Sequence, residues 1–179
     1  MKKDIRAIGY NHDHHEQKLM PQYTSAAIIV PWIMEWLKPQ SIADYGCGLG
    51  HWLSVFEDYG INSVTGYDGE YVDRTRLMID EISFVSVDFE GEFRSEKTVD
   101  LGICLEVLEH LTDEAGRRLI KNMTMSCDSI LFSAAVPLQG GFCHINERPQ
   151  SYWASVFAEE GWEVLDVIRP FFWNNRDVF

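Results

Sequence analysis

The stretch Asp44-Tyr45-Gly46-Cys47-Gly48-Leu49-Gly50 decides how this chain is expected to fold. The apolar residues 41–45 predict a β-strand, and the amphipathic residues 50–59 predict a helix. Because the three glycines of the stretch lack Cβ atoms, the backbone can turn sharply there and approach a ligand closely. The sequence therefore predicts a ligand-binding turn between a strand and the helix that follows it.

The spacing of these glycines indicates the kind of ligand. Dinucleotide-binding turns have the pattern GxGxxG, because a pyrophosphate sits on the N-terminus of the following helix. Here the pattern is GxGxG, with Gly50 at the second intervening position, His51 where the third glycine of the dinucleotide pattern would be, and an acid, Asp44, at the end of the strand. This pattern suits a ligand with an amino acid end and disfavours an NAD-dependent dehydrogenase.

The rest of the chain alternates apolar runs with amphipathic stretches, which is typical of an α/β fold with a doubly wound, mostly parallel sheet. Strands are predicted at residues 41–45, 63–67, 82–87, 99–105, 129–135 and 162–168. Helices are predicted at about residues 50–59, 71–78, 112–123 and 149–160. The pattern predicts one Rossmann-like structural unit over residues 41–179.

Residues 1–40 differ in character and are predicted to form an N-terminal cap. Residues 26–37 read as an apolar helix that packs over one edge of the sheet. The polar stretch before it contains His12, His14 and His15, which are interpreted as part of a lid over the pocket or, alternatively, as a second metal site.

Two further acids stand at the ends of predicted strands. Asp68 ends the second strand, twenty residues beyond Gly48, where a carboxylate can accept hydrogen bonds from both hydroxyls of a ribose. Asp88 ends the third strand and could accept from an adenine amino group. Aspartates often end strands as turn formers, so the prediction depends on their combination with the glycine turn.

With these motifs in order, the chain resembles the class I S-adenosylmethionine-dependent methyltransferases, whose first motif is an acid followed by GxGxG. The resemblance implies a seven-stranded sheet of order 3-2-1-4-5-7-6, with the last strand short or truncated because only residues 169–179 follow the sixth. It also implies that the methyl donor is the cofactor. The implied donor-binding residues are Asp44, Gly46, Cys47, Gly48 and Gly50 for the methionine part, Asp68 for the ribose, and Asp88, Phe89 and Leu105 for the adenine.

The segment Glu106-Val107-Leu108-Glu109-His110 leaves the fourth strand. It resembles a segment of ubiquinone-pathway O-methyltransferases and small-RNA 2′-O-methyltransferases, in which two glutamates, its histidine and a later histidine hold a divalent cation. The resemblance implies Glu106, Glu109, His110 and His144 as ligands of Mg²⁺ or a related cation, a mixed O/N set that suits such ions. Many methyltransferases with this segment use no metal.

The same residues suggest the catalytic groups. A metal-bound substrate hydroxyl would lose its proton near neutral pH and attack the sulfonium methyl group. Without a metal, His110 serves as a general base or packs at a helix start, and Glu106 binds a backbone amide or the substrate. His110, Glu106 and His144 are therefore the predicted catalytic residues.

The acceptor is predicted to be a small molecule. The segment from His144 to Trp153 resembles one in bacterial methyltransferases of surface-sugar and secondary-metabolite gene sets, which implies O-methylation of such a compound. Its polar side chains and Trp153 suit a sugar, although Trp153 and Phe157, four residues apart, also fit the buried stripe of a helix. The alternative function is a donor-binding regulatory or partner subunit without its own turnover.

Charge, hydropathy and cysteine content indicate which partners and which compartment to expect. With 28 acidic and 15 basic residues the net charge is −13, which disfavours nucleic acid as a partner, although solubility explains the acidity equally well. No apolar run is long enough for a membrane helix, and the four cysteines lack a CxxC pair, so free thiols are expected. These features predict a cytoplasmic protein that binds neither membrane nor nucleic acid. The oligomeric state stays open, and a dimer is compatible with the sequence.

Overall fold

A computed structural model describes residues 21–95 and 97–178 of the chain. The histidine-dense stretch that contains His12, His14 and His15 lies outside the described residues. The division of the chain at residue 40 therefore stays a prediction.

The centre of the fold is a parallel sheet of five strands in the order β3-β2-β1-β4-β5. The strands are β1 (Ser41–Tyr45), β2 (Ser63–Asp68), β3 (Phe84–Ser86), β4 (Val99–Leu105) and β5 (Cys127–Ser133). β1 pairs with both β2 and β4, so the order reverses at β1. In open α/β sheets ligands bind at the carboxyl edge next to such a reversal, which places the predicted glycine turn at the binding position.

Five helices of the described residues surround the sheet. They are α1 (Pro21–Trp36), α2 (His51–Asp58), α3 (Asp113–Ser126), α4 (Gln150–Glu159) and α5 (Arg169–Phe172). Thr112 caps α3 as predicted, with its side chain accepting a hydrogen bond from the Ala115 amide. Among the described residues, no helix has the length and apolarity that crossing a bilayer requires.

Two hydrophobic clusters cover the two faces of the sheet. One contains α1 and α2, with Ala26, Ile33 and Leu53 among its buried members. The other contains α3 and α4, with Met123 and Trp153 among its buried members. The predicted apolar helix near the N-terminus thus shares a core with the sheet.

The fold class and the strand order 3-2-1-4-5 are confirmed, and the five strands of the described residues are compatible with a truncated seven-stranded sheet, but the strand predicted at residues 162–168 is wrong. Residues 162–167 pair with no strand, and Val164, Leu165 and Val167 are exposed. The chain instead runs to α5, whose Phe171 ring lies 4.9 Å from that of Trp32 in α1. An apolar run forms a strand only when it can pair with the edge of a sheet. The contact of α5 with α1 holds the end of this run away from such an edge.

The predicted helix over residues 71–78 is also wrong. Only Arg74–Arg76 form a 3₁₀ turn. The Asp73 carboxylate accepts from the amide and the hydroxyl of Thr75, and the Met78 amide donates to the Leu49 carbonyl. Such local side-chain bonds compete with helix formation, and the Met78 bond draws the segment toward the glycine turn.

Candidate functional site

The glycine turn adopts the conformation that its sequence predicts. Gly46, Gly48 and Gly50 all have positive φ, at 89°, 53° and 82°. The turn is tied to β2 because the amides of Gly46 and Cys47 both donate to the Tyr67 carbonyl, at 2.8 and 3.1 Å. The backbone path therefore depends on residues that adopt left-handed conformations at low cost.

The three glycines meet different surroundings. A Cβ on Gly50 would lie 3.0 Å from a carbon of Ile79, and a Cβ on Gly46 would collide with the side chain of Val107. A Cβ on Gly48 would meet no atom within 4 Å. Gly46 and Gly50 therefore allow close packing within the protein, whereas Gly48 faces open space in which a ligand can lie.

Asp68 links the glycine turn to the end of β2. Its side chain is buried, with 4% of the residue exposed. One carboxylate oxygen accepts from the Gly48 amide at 2.7 Å. The other oxygen accepts from the Gly69 amide at 2.7 Å and from the hydroxyl of Tyr71. A carboxylate that the sequence assigned to a ribose thus lies directly beside the turn.

Asp44 is the second buried carboxylate of this region. Burial, followed by repulsion from Asp68, raises the pKa of Asp44 to about 8. A positively charged ligand group next to these two carboxylates would offset the cost of ionising Asp44. S-adenosylmethionine carries two such groups, an ammonium and a sulfonium.

The remaining predicted donor residues take up varied positions. The thiol of Cys47 is a packing group, since a Cβ on Gly66 would lie 2.7 Å from its sulfur and burial raises its pKa. Asp88 is exposed, and its carboxylate accepts from the Glu90 amide at 3.0 Å. Phe89 is half-buried, as is Leu105. The adenine contacts assigned to these residues stay predictions.

A second group of functional side chains follows β4. One potential ligand atom from each of Glu109, His110 and His144 lies within 4.8 Å of the others. The rings of the two histidines meet edge to face, with centroids 4.9 Å apart. The structure thus brings together three of the four residues predicted as metal ligands.

Glu109 is the buried member of this cluster. It is 0% exposed, and neither carboxylate oxygen has a hydrogen-bond partner among the described residues. Burial raises the pKa of Glu109 to about 7, with a further contribution from Glu106. His144 and the nearby backbone amides of Glu109 and Ala135 act in the opposite direction, although neither amide is in hydrogen-bonding geometry with the carboxylate. A buried carboxylate without a partner is costly, so a proton or a cation is needed beside it.

His144 is oriented by Glu147, one of the polar side chains in the segment that the sequence predicts to suit a sugar. Its Nδ1 lies 3.1 Å from a carboxylate oxygen of Glu147. The same carboxylate accepts from the amides of Leu138 and Gly140, and its hydrogen bond with His144 lowers the pKa of Glu147. Because a carboxylate only accepts, the proton of His144 is assigned to Nδ1, which leaves Nε2 to accept a proton or bind a cation.

Glu106 lies apart from the other predicted ligands. Its φ of 55° is left-handed. Its carboxylate accepts a hydrogen bond from the Ser133 hydroxyl at 2.7 Å and another from the side-chain amide of Gln139 at 3.2 Å. The structure does not place this carboxylate in the three-residue cluster. Its predicted roles in catalysis and metal binding stay predictions.

The segment after His144 contributes to packing more than to an open pocket. Trp153 is 2% exposed and packs over Gly116 of α3, and Phe157 is 3% exposed. The buried-stripe interpretation of these two residues is confirmed. Tyr152 donates to the Asp113 carboxylate at 2.6 Å, which holds α4 against the start of α3.

The glycine turn and the cluster are neighbours. Val107 belongs to the segment that carries Glu109 and His110, and one of its methyl carbons lies 3.3 Å from the position of a Cβ on Gly46, with another closer still. Because β1 and β4 are adjacent in the sheet, both features lie at the same carboxyl edge. The arrangement can hold a ligand over Gly48 with one end directed toward Glu109, His110 and His144.

Comparison with known proteins identifies the family. A family model described as a methyltransferase domain matches residues 13–127, which is more than half of the chain. The chain belongs to the class I S-adenosylmethionine-dependent methyltransferases. Among curated proteins, none matches this sequence.

Solved structures share the fold of this methyltransferase at low sequence identity. The methyltransferase domain of bacterial CtHen1 is 18% identical, with a TM-score of 0.60 over 78% of this chain and 86% of that one. Magnesium protoporphyrin IX methyltransferase from Synechocystis PCC 6803, with bound SAH, is 14% identical, with a TM-score of 0.58 over 81% and 75%. An O-methyltransferase family protein from Burkholderia thailandensis is 13% identical, with a TM-score of 0.57 over 86% and 57%.

We predict that Gly48→Ala weakens the binding of S-adenosylhomocysteine by at least about tenfold, because the new methyl group occupies the open space over the turn and strains the backbone. Gly60→Ala is the matched control, since Gly60 also has a positive φ, 93°, and a Cβ there would likewise meet no atom within 4 Å. Calorimetric titration measures both variants. Equal affinity of the two variants would contradict the placement of the donor.

We predict that Asp44→Asn flattens the dependence of stability on pH. The pKa of Asp44 is raised from 3.8 to about 8, so the folded state keeps a proton that the unfolded state loses. The stability from this group is therefore full below about pH 4 and falls as the pH rises toward 8, by at most about 1.4 kcal/mol per pH unit.

Urea unfolding between pH 5 and pH 8 measures this slope. The wild-type protein is expected to lose stability as the pH rises, and Asp44→Asn to lose less. Glu109, whose pKa is raised to about 7, contributes a slope of the same sign to both proteins. Substitution of the exposed Asp128 by Asn is the control, and identical slopes in all three proteins would refute the prediction.

Proposed function

We propose that this methyltransferase transfers the methyl group of S-adenosylmethionine to a hydroxyl oxygen of a small molecule, such as a sugar or a secondary metabolite. The observation that carries the proposal is the contact between Val107 and the Gly46 position, which puts Glu109, His110 and His144 beside the donor turn. An acceptor hydroxyl held by that cluster would face the reactive methyl group.

The donor would lie along the carboxyl edge of β1 and β2. Gly48 leaves room for its methionine part, and Asp68 would accept hydrogen bonds from its ribose. The buried carboxylates of Asp44 and Asp68 favour a ligand with positive charge. Asp88, Phe89 and Leu105 would border the adenine.

The cluster supplies the groups that an oxygen nucleophile requires. The hydroxyl of the acceptor attacks the sulfonium methyl, the carbon–sulfur bond breaks, and the hydroxyl proton must leave at the same time. His110 is exposed and can take that proton. His144, oriented by Glu147, presents a second imidazole to the same oxygen.

The cluster also fits a divalent cation. Glu109 offers a buried carboxylate without partners, and His110 and His144 offer imidazole nitrogens, a mixed set that suits Mg²⁺ or Mn²⁺. Glu106 is the fourth candidate ligand. When bound, such an ion would lower the pKa of an acceptor hydroxyl.

A small acceptor agrees with the charge of the chain. The net charge of −13 opposes a polyphosphate backbone, whereas a neutral polyol experiences only the groups of the pocket. Glu147 and Gln150 lie near the cluster in sequence and offer polar contacts to such a molecule.

Transfer of label from radioactive S-adenosylmethionine to a panel of sugars, phenols and polyols tests this function. The wild-type protein is expected to label one hydroxyl compound. His110→Ala and Glu109→Gln are each expected to reduce turnover by at least about a hundredfold while leaving the affinity for S-adenosylhomocysteine within about twofold.

The control is Glu163→Gln, an exposed carboxylate after α4, which should keep full turnover. Turnover in EDTA, with and without restored Mg²⁺ or Mn²⁺, tests the cation separately, and undiminished turnover in chelator would refute it. Tight donor binding without transfer to any acceptor, together with a stable hetero-oligomer, would instead support a partner subunit.

A further inference from the structure

Tyr71 occupies an unusual position over the carboxylate of Asp68. The residue is 86% exposed, yet its hydroxyl donates to a carboxylate whose residue is only 4% exposed. Among the described residues it is the one side chain that hydrogen-bonds to Asp68. The sequence predicts Tyr71 at the start of a helix and indicates no function for it.

The hydrogen bonds of Asp68 leave little capacity for a ligand. A carboxylate has about four acceptor positions. The amides of Gly48 and Gly69 take two of them, and the Tyr71 hydroxyl takes a third. A ribose that donates both hydroxyls needs two positions, and one remains.

Gly69 shows that the ring of Tyr71 has a defined place. The φ of Gly69 is outside the left-handed region, so its backbone does not require glycine. A Cβ at this position would instead collide with the ring of Tyr71, whose Cδ1 and Cζ atoms lie 2.6 and 3.1 Å from it. The absence of a side chain at residue 69 therefore lets the ring lie against the backbone and its hydroxyl reach Asp68.

We propose that Tyr71 is a movable substitute for a ribose hydroxyl, which covers Asp68 in the free protein and leaves it when the donor binds. The proposal rests on the proposed assignment of Asp68 to the ribose. In the exchange one hydrogen bond is released, from the Tyr71 hydroxyl, and the ribose forms two. Because Tyr71 is exposed, its side chain can turn into solvent without disturbing the core.

The exchange makes Tyr71 a determinant of donor affinity. Any adenosine-containing ligand must compete with the tyrosine hydroxyl for Asp68. A ligand whose ribose offers both hydroxyls replaces the lost bond with two, whereas a ligand without them gains nothing there. The tyrosine thus covers a buried carboxylate in the free protein and selects for a ribose diol.

Calorimetric titration with S-adenosylhomocysteine tests the proposal in two variants that open the site differently. Tyr71→Phe removes the competing hydroxyl, and Gly69→Ala displaces the ring while the hydroxyl stays in the chain. Both are expected to tighten binding roughly three- to tenfold. Tyr59→Phe, at an exposed tyrosine whose hydroxyl has no hydrogen bond among the described residues, should leave the affinity unchanged.

Weaker or unchanged binding in both Tyr71→Phe and Gly69→Ala would overturn the proposal, because the tyrosine would then hold the ligand or not affect it. Measuring Asp68→Asn alone and together with Tyr71→Phe shows whether the ribose assignment of Asp68 itself has failed. Asp68→Asn should weaken binding at least about tenfold and abolish the gain from Tyr71→Phe. If Asp68→Asn leaves the affinity unchanged, the assignment of Asp68 to the ribose fails as well.

A spectroscopic measurement follows the movement directly. In protein labelled with 3-fluorotyrosine, the ¹⁹F resonance that disappears in Tyr71→Phe belongs to Tyr71. Saturating S-adenosylhomocysteine should shift this resonance toward that of a solvated tyrosine. An unshifted Tyr71 resonance in the saturated protein would contradict the exchange.

Discussion

The hydrogen bond from the Gly48 amide to the Asp68 carboxylate joins the two parts of the donor site. It fixes the glycine turn after β1 to the end of β2, at the edge where the strand order reverses. Gly48 can make this bond because it adopts a left-handed conformation and carries no side chain. This contact holds Asp68 beside the turn, and the missing Cβ of Gly48 leaves the space above the turn open.

Charge is the second constraint on the site. Asp44 and Asp68 are both buried, and their repulsion adds to the desolvation that raises the pKa of Asp44. At the other end, Glu109 lies buried near the imidazoles of His110 and His144, and its carboxylate has no hydrogen-bond partner among the described residues. The free protein therefore has buried carboxylates in two places. A cationic donor would stabilise the first, and a proton or a metal ion would stabilise the second.

The sequence predicted the parts of the fold that depend on local pattern. β1, β4 and the glycine turn have the predicted bounds because glycine conformations and buried strands are local properties. The strand expected at residues 162–168 failed because its formation depends on a neighbouring edge. Spacing placed Glu109 beside His110, but the contacts of Tyr71 with Asp68 and of Glu147 with His144 arise from tertiary structure. Glu106 has a left-handed φ and its carboxylate lies outside the cluster, and the sequence indicates neither feature.

We propose that the donor lies along one edge of the sheet, with its sulfur directed toward Glu109, His110 and His144. A crystal structure of the protein with bound S-adenosylhomocysteine would show this arrangement. We expect the methionine part over Gly48, the ribose on Asp68, and the sulfur facing the cluster. A ligand bound at another edge, or with its sulfur directed away from these three residues, would contradict it.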